Sequence, residues 1–180
     1  MPSSRPDYLS FIQWLNIPTH SDDRIAMLAR SGGQRETDTL TVFPCPTPDE
    51  EGQYHFHFFS HGLRHLPHCG IERINQFEPG EKLWLTHEFQ DSFDSKALTL
   101  NTEDRLIVGY CPRYLNSEIL DLIRKNPRMV SVRVERVNKP PTPLQFRLLC
   151  NLTATWGDDG SPFSSLQYQP LIADVAIASS

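Results

Sequence analysis

Five of the seven histidines lie between His55 and His68. His55 and His57 are two apart in Gln53–Phe59 (QYHFHFF), so on a strand both imidazoles leave the same face. His61, His65 and His68 follow in a turn, with Cys69 next. Neutral imidazoles that converge on one point bind zinc and other transition metals. His55, His57 and His61 or His65 are the metal candidates, and a metal-dependent hydrolase is the enzyme they would serve. The cluster has no HExxH or CxxC companion, so it competes with ordinary hydrogen-bonded histidines on a curved strand.

Other chemistry finds less support. No GxSxG is present, and the neighbours Ser60 and His61 do not by adjacency bring a base to a hydroxyl. GxxxxGK[ST] and GxGxxG are absent, so nothing points to an ATP-driven reaction or to a nucleotide cofactor. No catalytic residue and no cofactor is assigned. Cys45, Cys69, Cys111 and Cys150 are far apart, which reads as four reduced thiols in a cytoplasmic protein.

The 180 residues suit one domain with an appendage, large enough for a single core to hold without staples. At 38% hydrophobic and 22% charged, the composition is that of a globular chain. Fifteen prolines against nine glycines favour turns and extended connections over a helical bundle. The net charge of −5 opposes non-specific coating of a polyanion. That charge is uneven: residues 1–104 carry 8 basic and 16 acidic groups, and residues 105–180 carry 9 and 6. Arg124 to Arg147 holds seven basic residues and one acid, Glu135, so a local basic face is available. Arg124, Lys125 and Arg128 read as a solvated helix end or an electrostatic skirt. No apolar run approaches a membrane span, and MPSSRPDYLSF lacks the pattern of a signal peptide.

The elements fall into order from hydrophobic period. Tyr8, Phe11, Ile12 and Leu15 recur at helical spacing until Pro18. Ser21 with Asp22 caps a second helix carrying Ile25, Leu28 and Ala29, ended by Ser31-Gly32-Gly33. Strands are expected at Thr39–Phe43, Gln53–Phe59, Lys82–Thr86, Ala97–Leu100, Leu106–Tyr110, Val130–Val137 and Phe146–Thr155, about seven in all. Short helices are expected at Pro67–Phe77 and Leu115–Ile123. Many short strands with few helices predict a mainly β chain, an α+β fold built on a small closed or partly closed barrel. The division is a helical extension or linker over 1–38, the barrel over 39–156, and a tail over 157–180.

Four blocks stand in a particular order. Gly62-Leu63-Arg64-His65 leaves a strand. Gly80-Glu-Lys-Leu-Trp-Leu85 leads to His87-Glu-Phe-Gln-Asp-Ser-Phe-Asp-Ser-Lys-Ala-Leu98. Val108-Gly-Tyr-Cys-Pro-Arg113 follows, with a helix behind it. This order resembles the HIRAN domain, found alone in bacteria and fused to the helicase-like transcription factor and related fork-remodelling ATPases. The family pattern runs glycine with an Arg-aromatic pair, then pG-x-x-L-x-L, then an acidic residue, Asn, Pro, Tyr or Phe, Asp, x, x, Ala, then V/I-G-Y/H. The likeness covers Phe56 to about Ile123 and continues less distinctly through Trp156. Residues 1–38 look like the linker or adjoining module of longer bacterial relatives.

The resemblance implies an OB-like barrel that binds single-stranded DNA and captures a free 3′-hydroxyl end, without catalysis. It implies a helicase or nuclease as partner or fused domain. Arg64 would contact a backbone phosphate. His65 stands where the family has a Tyr that stacks on a base, and Phe93 would be the second stacking ring. Asp94 would accept from the terminal hydroxyl, while Tyr110 and Arg113 would line the phosphate side. Asp91 replaces the family Asn and Ser92 the family Pro, which places a second carboxylate near Asp94. The competing expectation is a protein-interaction domain that keeps the barrel and has lost the DNA pocket. It would use Tyr8, Phe11 and Trp14, or the tail Leu166–Ile177, as its apolar surface. An exposed Phe93 favours the first reading and a buried one the second.

Overall fold

The computed structural model describes residues 8–18, 24–31, 41–157 and 160–169. Alternation in QYHFHFF gives β1, Gln53–Phe59. It turns Phe56 and Phe58 into the barrel and leaves His55 and His57 half-buried on the outside. Next come α3 at His68–Gln76, β2 at Lys82–His87, β3 at Leu98–Asn101 and β4 at Ile107–Tyr110. Helix α4 spans Arg113–Lys125, and β5 at Val130–Val137 and β6 at Leu148–Thr155 complete the sheet. Two seven-residue helices, α1 at Tyr8–Trp14 and α2 at Arg24–Arg30, precede these elements.

Neighbouring strands are antiparallel throughout, in the order β1-β6-β5-β2-β3-β4. The register stacks apolar pairs on the inner face: Phe56 opposite Leu152, Phe58 opposite Cys150, Val132 opposite Leu152, and Leu83 opposite Val132. Leu115, Ile119 and Leu122 of α4 and Ile74 of α3 complete this core. A bulge between Val134 and Arg136 resets the alternation of β5. It sends Glu135 outward and leaves Val137 opposite the buried Leu148.

The curled sheet closes through one bridge. His61, just past β1, and Tyr110, at the end of β4, exchange backbone N–H···O=C bonds of 2.9 and 3.0 Å. Gly109 makes the approach possible. Its φ is +134°, and a Cβ there would lie 1.8 Å from Ser60 Oγ and 2.9 Å from the His61 carbonyl oxygen. Ser60 is buried, and its hydroxyl donates to the Val108 carbonyl across the same seam.

Outside the barrel a second apolar cluster forms from Ile12, Leu15 and Met27 against Phe59 and Leu149. Polar bonds pin it. Glu135 accepts from Asn16 Nδ2 at 2.7 Å and from His57 Nδ1, with the Arg30 guanidinium 3.6 Å away. Asn138 Nδ2 donates to the Trp14 carbonyl at 3.0 Å. Burial alone would raise the Glu135 pKa. The bonds from His57 and Asn16 and the positive charges of His57 and Arg30 outweigh it, and the group is held below the ordinary glutamate value.

Two expectations change, and a third is not reached by the described residues. Residues 41–43 form no strand, and Thr39 and Leu40 lie outside the described residues, so the sheet has six strands among the described residues. Phe43 instead lays its ring flat on Tyr114, centroids 4.4 Å apart and 5° from parallel, so a side-chain stack takes the place of a ladder. Phe146 lies in a 3₁₀ turn before β6, because its ring is taken by Phe59, Phe11 and Trp14. The expected caps Ser21 and Asp22, and Gly32-Gly33, lie outside the described residues. All four cysteines are free; Cys45 and Cys69 are exposed, Cys111 and Cys150 buried.

Two outcomes follow from the seam and the clasp. Gly109→Ala should cost about 3 kcal/mol or more. Gly52→Ala, also at positive φ but with open space around it, should cost only about 1 kcal/mol in denaturant unfolding. Equal costs would show that the seam is not tight. Because the Glu135 pKa is depressed on folding, its stabilisation is present above the unfolded value and is lost as pH falls through the carboxylate range. Hydrogen exchange of residues 8–18 and 24–31 should rise over that window before the barrel opens, and Glu135→Ala should weaken the docking by about 2 kcal/mol at pH 7.

Candidate nucleic-acid interface

Arg64 and His65 sit on the single 3₁₀ turn Leu63–His65 that leaves the closing seam. Leu63 is buried and anchors the turn, which leaves the next two side chains exposed. Gly62 enters with φ +74°, and a Cβ there would meet the Tyr110 ring at 2.8 Å. The glycine therefore lets Tyr110 lie against the backbone of the turn. Arg64 Nε donates to His65 Nε2 at 2.8 Å, which couples the guanidinium to the ring. His65 and Tyr110 line an open groove of about 340 Å³ together with Leu66, Pro67, Arg105, Leu106 and Ile107.

Phe93 and Asp94 are set by the loop between β2 and β3. Asp91 Oδ1 accepts from the N–H groups of Phe93 at 2.8 Å and Asp94 at 2.7 Å. Asp94 Oδ1 accepts in turn from Lys96 N–H at 2.9 Å. Two successive aspartate turns thus fold the loop from within. With its backbone held in this way, Phe93 is 88% exposed. An apolar ring that exposed on an ordered loop has no role in the core.

Arg113, at the start of α4, ties the loop to the helix. Its Nη2 donates to the Phe93 carbonyl at 2.8 Å, and its Nε lies 3.6 Å from Asp94 Oδ2. Asn116 Nδ2 donates to the same Asp94 oxygen at 2.9 Å. Partial burial would raise the Asp94 pKa. The Lys96 N–H, the Asn116 amide and the Arg113 guanidinium reverse this, so the carboxyl lies below its ordinary value and is ionised at neutral pH. A recess of about 150 Å³ opens here, lined by Asp94, Lys96, Arg113, Asn116 and Ser117 and by two tail residues, Gln167 and Tyr168.

The six sequence-derived residues therefore fall into two groups. His65 and Tyr110 line the groove at the seam, with Arg64 bonded to His65; Phe93, Asp94 and Arg113 are bonded together at the recess. The turn Tyr110-Cys111-Pro112-Arg113, from β4 into α4, joins them.

Among the described residues the histidines are not gathered into a metal centre. His55 pairs with Asp49 at 2.9 Å, His57 with Glu135, and His65 with Arg64. His61 spends its backbone on the closing bridge. Among the described residues no three His, Cys, Asp or Glu side chains are grouped to hold an ion. The apolar surface expected for a protein partner is also partly spent. Phe11 and Trp14 pack on Phe146, and Tyr8 joins the second cluster. Leu166 is exposed, while 170–177 lie outside the described residues. Among the described residues no helix is long and apolar enough to cross a membrane.

Sequence reasoning missed three groups. Phe89 is 80% exposed on the same loop as Phe93, with the His87 ring 4.2 Å from its own. Trp84 is 47% exposed under the Lys82 ammonium. Asn116 is buried at the recess, and its Oδ1 has no partner among the described residues. Asn116 had a readable signal, a polar residue at helical spacing from Ile119, Leu120 and Ile123 on the apolar side of α4.

Residues 53–156, more than half of the chain and all six strands, match the HIRAN domain. The chain belongs to the HIRAN domain family. Among solved structures it is similar to a protein from Lactobacillus plantarum, at 17% identity and a TM-score of 0.44, covering 57% of this chain and 97% of that one. It is also similar to the HIRAN domain of human HLTF, at 18% identity and a TM-score of 0.41, covering 57% and 74%. No curated protein matches it in sequence.

Within the HIRAN pattern, the departure at Asp91 acquires a physical reason. An Asn carbonyl and an Asp carboxylate oxygen offer the same acceptor to the two N–H groups that position Phe93 and Asp94. Asp91→Asn should leave the melting temperature nearly unchanged. Asp91→Ala strands both donors and should cost about 1–2 kcal/mol, with faster exchange at residues 92–96. Equal effects of the two substitutions would refute the turn-forming role.

Proposed function

We propose that this HIRAN chain is a non-catalytic module that binds single-stranded DNA at its 3′-hydroxyl end. It would work in the cytoplasm, in DNA repair or remodelling, delivering the strand end to a helicase or nuclease partner or fused domain. The observation that carries this reading is the exposed Phe93 ring held beside the ionised Asp94 and the Arg113 guanidinium. A single strand is bound by rings on which bases stack and by cations along the backbone. Phe93 supplies a ring, with His65 as the second, smaller platform. Arg64 and Arg113 supply the charge, and Tyr110 lines the path between them.

Asp94 gives the end preference. A terminal hydroxyl donates to a carboxylate, whereas a phosphate at the same point meets it with like charge. The step is recognition alone, and no bond is made or broken. The exposure of Phe93 also favours this reading over a barrel that has lost the pocket, since a ring open to solvent is available for a base to stack on.

Fluorescence anisotropy with a labelled single strand at two salt concentrations tests the reading. The free 3′-hydroxyl strand should bind more tightly than its 3′-phosphorylated counterpart. Phe93→Ala should cost about 1–3 kcal/mol for both strands. Asp94→Ala should abolish the difference between them. Salt-sensitive binding that ignores the end would leave only an electrostatic groove, and no binding at low salt would end the DNA reading.

A further inference from the structure

The HIRAN match stops at residue 156, but the recess beside Asp94 does not. Gln167 and Tyr168 form its outer wall, facing Arg113 and Asn116. The segment that carries them is tied to α4 at three points. Phe163 N–H donates to Glu118 Oε2 at 2.7 Å, and Ser165 Oγ donates to Glu118 Oε1 at 3.4 Å. The Tyr168 hydroxyl donates to the Tyr114 carbonyl.

Rings brace the same segment from behind. Phe163 and Tyr168 meet edge to face at 5.0 Å, and Phe43 packs on both, at 4.9 and 6.0 Å, while stacked on Tyr114. Phe43 also lies outside the family match. Chain from either side of the matched domain therefore builds one wall of the site. Leu166, in the same segment, is 92% exposed, so it is not apolar burial of that residue that holds the segment here.

We propose that residues 163–168 are a stop wall, with Gln167 and Tyr168 determining that the recess accepts the end of a strand and rejects a strand that continues. The inference rests on the 3′-end reading and adds shape to its charge. Asp94 reads the chemical group at the terminus, and the wall removes the exit that a following nucleotide needs. Discrimination by obstruction is the negative half of specificity: it weakens the wrong ligand without tightening the right one.

The test compares a linear strand bearing a 3′-hydroxyl with a circular single strand of the same length, using the full chain. The wild type should favour the linear strand. Tyr168→Ala should shrink that preference by about tenfold, chiefly through tighter binding of the circle. Glu118→Ala cuts two of the three ties from a half-exposed helix position and should act in the same direction, which guards against a fold lost in the first variant. Gln167→Ala, which touches no tie, should widen the recess alone. If the wild type prefers the linear strand and all three variants keep that preference, the wall is overturned and end binding stands. If the variants bind both strands more tightly with an unchanged ratio, the segment is an inhibitory strap and the wall is again overturned. If the wild type itself shows no preference, the end reading fails and the wall fails with it.

Discussion

The His61–Tyr110 bridge is one pair of backbone hydrogen bonds, yet both halves of the candidate site hang from it. The turn bearing Arg64 and His65 begins two residues after His61. The connection to Arg113 begins one residue after Tyr110. Closing the sheet at this point brings two segments that are far apart in sequence to one rim. Gly109 and Gly62 are needed because backbone must pass backbone and an aromatic ring at distances no side chain permits. The Val-Gly-Tyr block is thus a packing requirement first, and its tyrosine becomes available to a ligand as a result.

The recess obeys a different logic. No residue there is positioned by the apolar core alone. Asp91 folds the loop, Asp94 folds the next turn, Asn116 holds Asp94, and Arg113 holds both the loop backbone and the carboxylate. Asp94 keeps its charge because donors surround it. Partial solvent access lets this network persist without the desolvation cost of a buried ion pair. A site preorganised by its own polar groups can present an apolar ring to water, as Phe93 is presented here.

Much of the fold was legible because period and burial coincide. QYHFHFF declares its inner and outer faces, VSVRV does the same for β5, and Leu115, Ile119 and Leu122 mark the buried side of α4. What failed did so where a side chain found a better partner than the local ladder. Phe43 had the β-branched context of a strand, but Tyr114, far along the chain, offers its ring a flat stack. The histidine cluster looked convergent because sequence gives spacing and not direction. Asp49, Glu135 and Arg64 each claim one imidazole. In the site, the four family blocks located Arg64, Phe93, Asp94 and Arg113, but the tail's share in the recess was invisible, since Tyr168 reaches it only through a tertiary contact with α4.

The bulge in β5 can be viewed as a phase marker. Val132 and Val134 face inward on the two-residue beat of a strand, and then two charged residues, Glu135 and Arg136, occur in succession. The extra residue delays the beat by one, so Val137 returns to the interior opposite Leu148 and Arg136 stays opposite the outer Leu149. Loss of Glu135 alone would remove the bulge and leave Val134-Arg136-Val137 in plain alternation, with Val137 still opposite Leu148. What it would take away is the carboxylate on which His57, Asn16 and Arg30 meet. The extra residue therefore serves what docks on the outside of the sheet, and the barrel interior does not require it.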